Sequence, residues 1–380
     1  MYKMRKIRFS PVETRHGTSL RMMFSVLLLF TATLSFAQAP ADYYSSAEGK
    51  KGHALRVAMH DIIKNHTKLT YDNLWSAYYT TDKRLDTNKL WDMYSDRPGA
   101  RPAYYFSLGS DQCGNYGQEG DCYNREHSVP KSWFGTSTPP PPMYTDLFHL
   151  IPTDGYVNSK RGNLPLGKVI HASWTSTNGS KKGTSNIPGY SGEVFEPIDS
   201  FKGDFARIYF YMAVCYMDKN LGLETQSNFT GGDLKPWANS LLLQWAAMDP
   251  VSRKEIDRNN AVYQIQHNRN PFVDFPELAE MIFGSDTTIA FQVSIAEHQM
   301  ASPWVIFPNP AKDIINIQSI GFEPDEVNIE VLDLLGKPVL TTRSNSTEKT
   351  TMDISSLAKG LYLLRISSER YVKTYKIVKQ

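Results

Sequence analysis

Apolar residues recur along this 380-residue chain with two different spacings, and the change between them divides it. In "GHALRVAMHDIIKNH", Leu55, Met59, Ile62 and Ile63 fall at three- and four-residue steps, which predicts a helix with one apolar face within residues 50–80. His53, His60 and His66 interrupt that pattern irregularly and are expected on its solvent side. Long helices are expected again at 203–217, through "FARIYFYMAVCYM", at 234–247 and within 276–283. "NKLWDMYS" reads as a short aromatic strand, after which Gly, Pro and Asn accumulate through residue 121.

Beyond Gly284 the texture shifts. "DTTIAFQVSIAEHQMAS" is weakly patterned, so residues 286–302 are expected to link a first domain, 38–285, to a second, 303–380. In the second the period drops to two. "NIEVLDLLGKPVL" gives two strands around Gly336, Lys337 and Pro338, and "GLYLLRISSERYVKTYKIVK" gives two more around Ser367 to Arg370. The expected fold class is therefore α+β: a mainly helical domain followed by a small all-β sandwich.

The first 37 residues stand apart from both domains. Arg5, Lys6, Arg8, Arg15 and Arg21 precede the apolar run Phe24 to Ala37, and small residues at Ser35 and Ala37 lead into "QAPAD". That order reads as an export signal cut after Ala37. The run falls short of the about 20 residues that a membrane span wants, and no other stretch qualifies. The leader holds six of the 41 Lys and Arg and one of the 39 Asp and Glu, leaving 35 against 38, a formal −3. A globally basic chain that coats nucleic acid is thereby excluded, so any grip on phosphate must be local. Export also places the three cysteines in an oxidising compartment. Cys113 and Cys122 are expected to close a small disulfide loop in preference to a zinc site with His127, because no paired C-x-x-C spacing is present. Cys215, in an apolar helical stretch, is expected to be a small core residue.

Candidate chemistry concentrates in "DCYNREHSVPKSWFG" and the segment that follows it. Asn124–Ser128 and Leu147–Ile151 are expected to form two strands of a wide hairpin. Thr153 or Asp154 then caps a short helix, Pro152 blocks further strand pairing, and Gly162 supplies the stop. Asp154, Asn158 and Arg161 are spaced to share one helix face. If that face covers the hairpin end, it brings an amide and a guanidinium to Glu126 and His127. Phosphodiester hydrolysis needs a base, a cation and help for the leaving oxygen. His127 suits the base. Glu126 and Asn158 offer hard oxygen ligands that suit Mg²⁺, with Mn²⁺ or Ca²⁺ as alternatives, and Arg161 is a candidate for the phosphate. Neighbouring side chains on a flat strand diverge. Glu126 and His127 therefore imply either a twisted or bulged strand end or a substrate lying across it. For His149 a hydrogen-bonded structural role is favoured. Asp146 either orients a ligand or closes the hairpin, Asp154 caps, and Lys160 faces solvent. Arg269 is either a phosphate contact or a structural ion pair.

The block "CYNREHSVPKSWFG…DLFHLIPTDGYVNSKRGNLPLG", with "LWDMYS", "FKGDFARIYFYMAVCY" and "VYQIQHNRNPFVDFPEL", resembles the bacterial endonuclease I family over residues 50–283. Those are secreted or periplasmic nucleases of the His-Me finger (ββα-metal) class. The resemblance implies His127 as general base, Glu126 and Asn158 as holders of one divalent ion, and cleavage of DNA, often also RNA, with little sequence preference. The loop arginine of some members has no counterpart in 129–146, which offers only Lys131, so Arg161 or Arg269 is expected to fill that role. Residues 303–380, through "VIFPNPAKDIINIQ", "VLDLLGKPVL", "DISSLAKGLYLLRI" and "YKIVKQ", resemble the C-terminal sorting domain of type IX secretion. That implies an address read by the secretion machinery and a chain released or held at the cell surface. A monomer without a membrane span after leader cleavage is expected. The competing readings are a non-catalytic surface adhesin and a phosphodiesterase for other diesters.

Overall fold

The four-residue spacing of Leu55, Met59 and Ile63 produces helix α1, Gly52–Ile63, with those side chains wholly buried. It is the first long element in a computed structural model that describes residues 39–40, 42–84, 87–98, 100–135, 137–293, 304–319, 327–334, 336–344, 350–367 and 372–380. The expected export leader, 1–37, lies outside the described residues. After α2, Asn73–Thr81, the chain forms the antiparallel pair β1, Tyr123–His127, and β2, Leu150–Asp154, and runs directly into α3, Gly155–Arg161. A three-stranded antiparallel sheet follows, with β3, His171–Thr175, β4, Lys181–Ile187, and β5, Tyr190–Glu196, in that order. Then come α4, Lys202–Cys215, and the two-residue strands β6, Phe229–Thr230, and β7, Asp233–Leu234. The helices α5, Pro236–Met248, α6, Arg253–Gln266, α7, Pro271–Asp274, and α8, Leu278–Phe283, complete this part.

Helix α4 is the spine, because every one of its residues is buried. An apolar helix buried all round is what "FARIYFYMAVC" dictates, and Cys215 sits in it as a 1% exposed core residue. Arg207 is tolerated there because the Glu255 carboxylate of α6 receives its Nε and Nη2 at 2.5 and 2.8 Å. Glu255 also closes a capping box with Ser252, so one carboxylate starts α6 and neutralises the spine.

Several expectations are corrected. His60 and His66 are not on the solvent side: His60 is buried with Nδ1 2.9 Å from the Val214 carbonyl, and the His66 side chain is 2% exposed. "NKLWDMYS" contributes single bridges at Lys89 and Leu90 and then a turn, not a strand. The linker expected from residue 286 begins later, since Phe291 is buried, stacks edge-on to Phe275 at 5.0 Å and exchanges backbone bonds with Gly49 and Lys50. Residues 294–302 of that expected linker lie outside the described residues.

The C-terminal part consists of β8, Trp304–Phe307, β9, Ile314–Ser319, β10, Val327–Leu332, β11, Pro338–Ser344, β12, Thr350–Asp353, β13, Gly360–Ser367, and β14, Val372–Lys379. They form one sheet ordered β11-β10-β13-β14 and another ordered β12-β9-β8. Val327, Ile329 and Val331 point inward while Asn328 and Glu330 remain half-buried, so the period of two places one face of β10 in a core shared with Ile315, Ile317, Leu364 and Ile366. The chain is α+β, and among the described residues no helix is long and apolar enough to cross a membrane.

Candidate active site

The β1–β2 ladder runs without a register shift: Arg125 faces Pro152, Glu126 faces Ile151 and His127 faces Leu150. Two expectations change here. No bulge separates Glu126 from His127, and Pro152 lies inside β2 rather than blocking it, because a two-stranded ribbon is all edge and the missing N–H can face away from the partner. Regular pleating then turns Asn124 and Glu126 to one face and Arg125 and His127 to the other.

The first face receives α3. The Asp154 carboxylate accepts the Val157 amide at 2.8 Å and caps the helix, and Gly162, at φ 56°, ends it. Gly155 permits the close approach, since a Cβ there would lie 2.6 Å from the Tyr116 ring and 3.3 Å from the Asn124 amide. Asn158 donates its Nδ2 to Asn124 Oδ1 at 2.8 Å. Arg161, one turn on, is 1% exposed. It donates to Glu126 Oε1 and the His127 carbonyl at 3.0 Å each and to the Ser128 carbonyl at 2.5 Å. Arg161 therefore clamps the strand end from inside, and the expectation that it reaches a phosphate is corrected by its burial. Tyr94 adds a second donor to Glu126 Oε1 at 3.0 Å. Burial pushes the Glu126 carboxyl up to about 7, against the opposing pull of Arg161 and Tyr94. Among the described residues, neither Glu126 Oε2 nor Asn158 Oδ1 has a hydrogen-bond partner, so two hard oxygens remain to be satisfied.

The second face carries His127, which is 7% exposed. Its Nε2 lies 3.0 Å from the Tyr144 carbonyl, which can only accept. The proton is thus on Nε2, and Nδ1 keeps its lone pair with no partner among the described residues. Burial, with a smaller push from His149, holds this imidazole well below the usual histidine range, so it is neutral at pH 7. Aromatic rings surround it: Tyr144 at 5.3 Å, and Tyr71 and Phe134 at 6.2 Å each. Lys131 is exposed on the turn Lys131–Trp133 that follows β1.

The remaining candidates lie away from these atoms or serve the frame. His149 is wholly buried with Nε2 on the Met143 carbonyl. Asp146 accepts from Tyr211, Tyr216, Gln266 and the Phe148 amide, which fixes the long loop of the hairpin to α4 and α6. With His66 and Cys215 it forms a group of ligand-type atoms within 4.8 Å of one another, but those four donors already occupy the Asp146 oxygens. Of its two expected roles Arg269 takes the structural pair and not the substrate contact: it is 2% exposed and holds Asp274 through two bonds at 2.6 and 2.7 Å. Cys113 and Cys122 are disulfide-bonded. Sequence reasoning missed Asn124, Tyr94 and the Tyr144 carbonyl. The two-residue step from Asn124 to Glu126 was a usable signal, whereas nothing in the sequence ties Tyr94 to a carboxylate 32 residues on.

Comparison with known proteins identifies the families that the chain resembles. Residues 51–277 match the family described as Endonuclease I, and residues 305–380 match the one described as secretion system C-terminal sorting domain. An extracellular ribonuclease of Bacillus amyloliquefaciens is 39% identical over 282 residues, 72% of this chain and 86% of the relative. One from Bacillus subtilis (strain 168) is 39% identical over 251 residues, 63% and 78% of the two chains. An Endonuclease-1 of Buchnera aphidicola subsp. Baizongia pistaciae is 30% identical over 129 residues, covering 34% of this chain and 46% of its own.

Proposed function

We propose, from the premise that the chain belongs to the endonuclease I family, that it is a metal-dependent endonuclease hydrolysing DNA, and also RNA, with little sequence preference. Its C-terminal sorting domain marks it for type IX export, so the nucleic acid is met outside the cell. In this reading residues 1–37 are a removable leader, and β1, β2 and α3 are the ββα-metal unit of the His-Me finger class. The observation that carries it is the His127 tautomer: a neutral imidazole with Nδ1 open, at the last position of a strand, next to the Glu126 carboxylate.

His127 Nδ1 takes the proton from an attacking water, while Tyr144 holds the ring by its other nitrogen. Because water and not a ribose hydroxyl attacks, the chemistry needs no 2′-OH and DNA serves as well as RNA. Glu126 Oε2 and Asn158 Oδ1 fit a single hard cation such as Mg²⁺, with Mn²⁺ or Ca²⁺ able to use the same oxygens. Such an ion, when bound, neutralises charge on the phosphate and the leaving 3′ oxygen. Lys131 is the exposed cation placed to approach a backbone phosphate, and the substrate lies across the strand end so that both faces reach it.

Plasmid nicking with Mg²⁺, its loss in EDTA and its return on adding Mg²⁺ are the expected outcomes; nicking in both conditions, or in neither, removes this reading. Competition between DNA and a generic phosphodiester tests the alternative substrate class. The pH dependence has a definite sign. Glu126 binds a proton below about 7, and a cation must displace it. The Mg²⁺ concentration for half-maximal activity should therefore rise as pH falls below 7, by up to about tenfold per unit, and level off above it. His127, with its depressed pKa, stays a free base through that range. Mg²⁺ titrations at pH 6, 7 and 8 with a single half-saturation point would remove Glu126 as a ligand.

A further inference from the structure

We propose that the aromatic wall of Tyr71, Phe134 and Tyr144 beside His127 is a subsite for an unstacked nucleobase, which makes the enzyme prefer single strands, RNA or DNA, to duplex. The inference rests on the nuclease reading above and adds its substrate form. All three rings are half-buried rather than sealed in the core. Tyr71 and Tyr144 lie 5.3 Å apart, and each is packed near the His127 ring, as is Phe134. The apolar surface continues to Leu223, which is 55% exposed and lies against Gly135, the residue after Phe134.

Cations border the wall without interrupting it. The Arg125 guanidinium sits between Tyr71 and Trp75, at 3.5 and 4.3 Å from their ring centres, and bonds the Tyr71 carbonyl at 2.6 Å. It thereby fixes Tyr71 from behind. Lys131 is exposed on the turn that leads into Phe134. Rings for a base and, in Lys131, a cation for its phosphate, set around one imidazole, are the two components of single-strand binding. Every base offers a π-face, so such a wall is indifferent to sequence. It is not indifferent to pairing, because a base reaches it only after leaving its own stack, which is cheap in a single strand and costly in a duplex.

The test uses the full chain with Mg²⁺ and four 20-residue substrates: single-stranded RNA, single-stranded DNA, duplex DNA, and a strand of tetrahydrofuran abasic units. The expected result is that kcat/KM on both single strands exceeds that on duplex by at least about tenfold. Tyr71→Leu and Phe134→Leu should raise KM on the single strands about tenfold more than on the abasic strand, and Tyr71→Phe should restore the wild-type ratio. Equal cleavage of duplex and single strands overturns the inference, as does an unchanged KM in both leucine variants or an equal loss on the abasic strand. A wild-type protein that cuts none of the four with Mg²⁺ removes the nuclease reading itself, and this inference with it.

Discussion

His127→Ala should lower kcat for plasmid nicking by about 10²–10⁴-fold, the contribution ordinarily made by a positioned general base. KM and the Mg²⁺ requirement should stay close to wild type, because the oxygens of Glu126 and Asn158 lie on the opposite face of the ribbon from the imidazole. Thermal unfolding should move by only a few degrees, since the residue lost is a strand-end side chain bonded to one carbonyl. The nearest replacement is His149, whose ring centre is 5.5 Å away. It is poorly suited: its Nε2 is bound to the Met143 carbonyl and the ring is wholly buried, so a water has no path to it. An active His127→Ala protein, measured by single-turnover nicking, would remove the imidazole from the chemistry and leave its burial and tautomer as features of the frame.

The same hairpin illustrates what was legible beforehand. The order of strand, strand and helix was readable because a wide proline-punctuated loop, an Asp cap and a Gly stop each leave a local mark. The register was not, since "IPTD" pairs through Pro152 and local rules place proline outside a ladder. Arg161 was misjudged, and Arg269 left open, for a different reason. A guanidinium reads the same from sequence whether it meets a phosphate or a buried carboxylate, and only the partner decides. For Arg161 that partner is Glu126, 35 positions earlier. Helix α6 went unseen likewise: the inward face of "RKEIDRNNAVYQIQ" carries Val262 among the polar Glu255, Arg258, Asn259 and Gln266, and it packs through Arg258 on Asp82 and Glu255 on Arg207, pairs that no periodicity reveals. His60 and His66 were placed in solvent because an irregular spacing looks like decoration, although the core accepts an imidazole where a carbonyl such as that of Val214 meets it.

Arg161→Met should cost about 3–5 kcal/mol of stability and lower the melting temperature on the order of 10 °C, the largest structural effect expected of any site substitution. Surface ion pairs contribute little, but here both partners are inside, Arg161 at 1% and Glu126 at 3% exposure. Above pH 7, where Glu126 is ionised, removing the guanidinium strands a buried carboxylate, and at any pH it unties the carbonyls of His127 and Ser128, which fix where β1 ends. Activity should fall with it, because the same bonds aim Glu126. The double variant Arg161→Met with Glu126→Leu separates the contributions: with no charge left to strand, it should regain that part of the lost stability, but not the part due to the untied carbonyls, while remaining inactive. A residue whose task was to hold a phosphate would behave in the opposite way. Its loss would raise KM, leave the melting temperature where it was, and gain nothing from a second substitution at Glu126. Thermal melts and nicking kinetics on the three proteins therefore decide whether this arginine builds the site from within or meets the substrate.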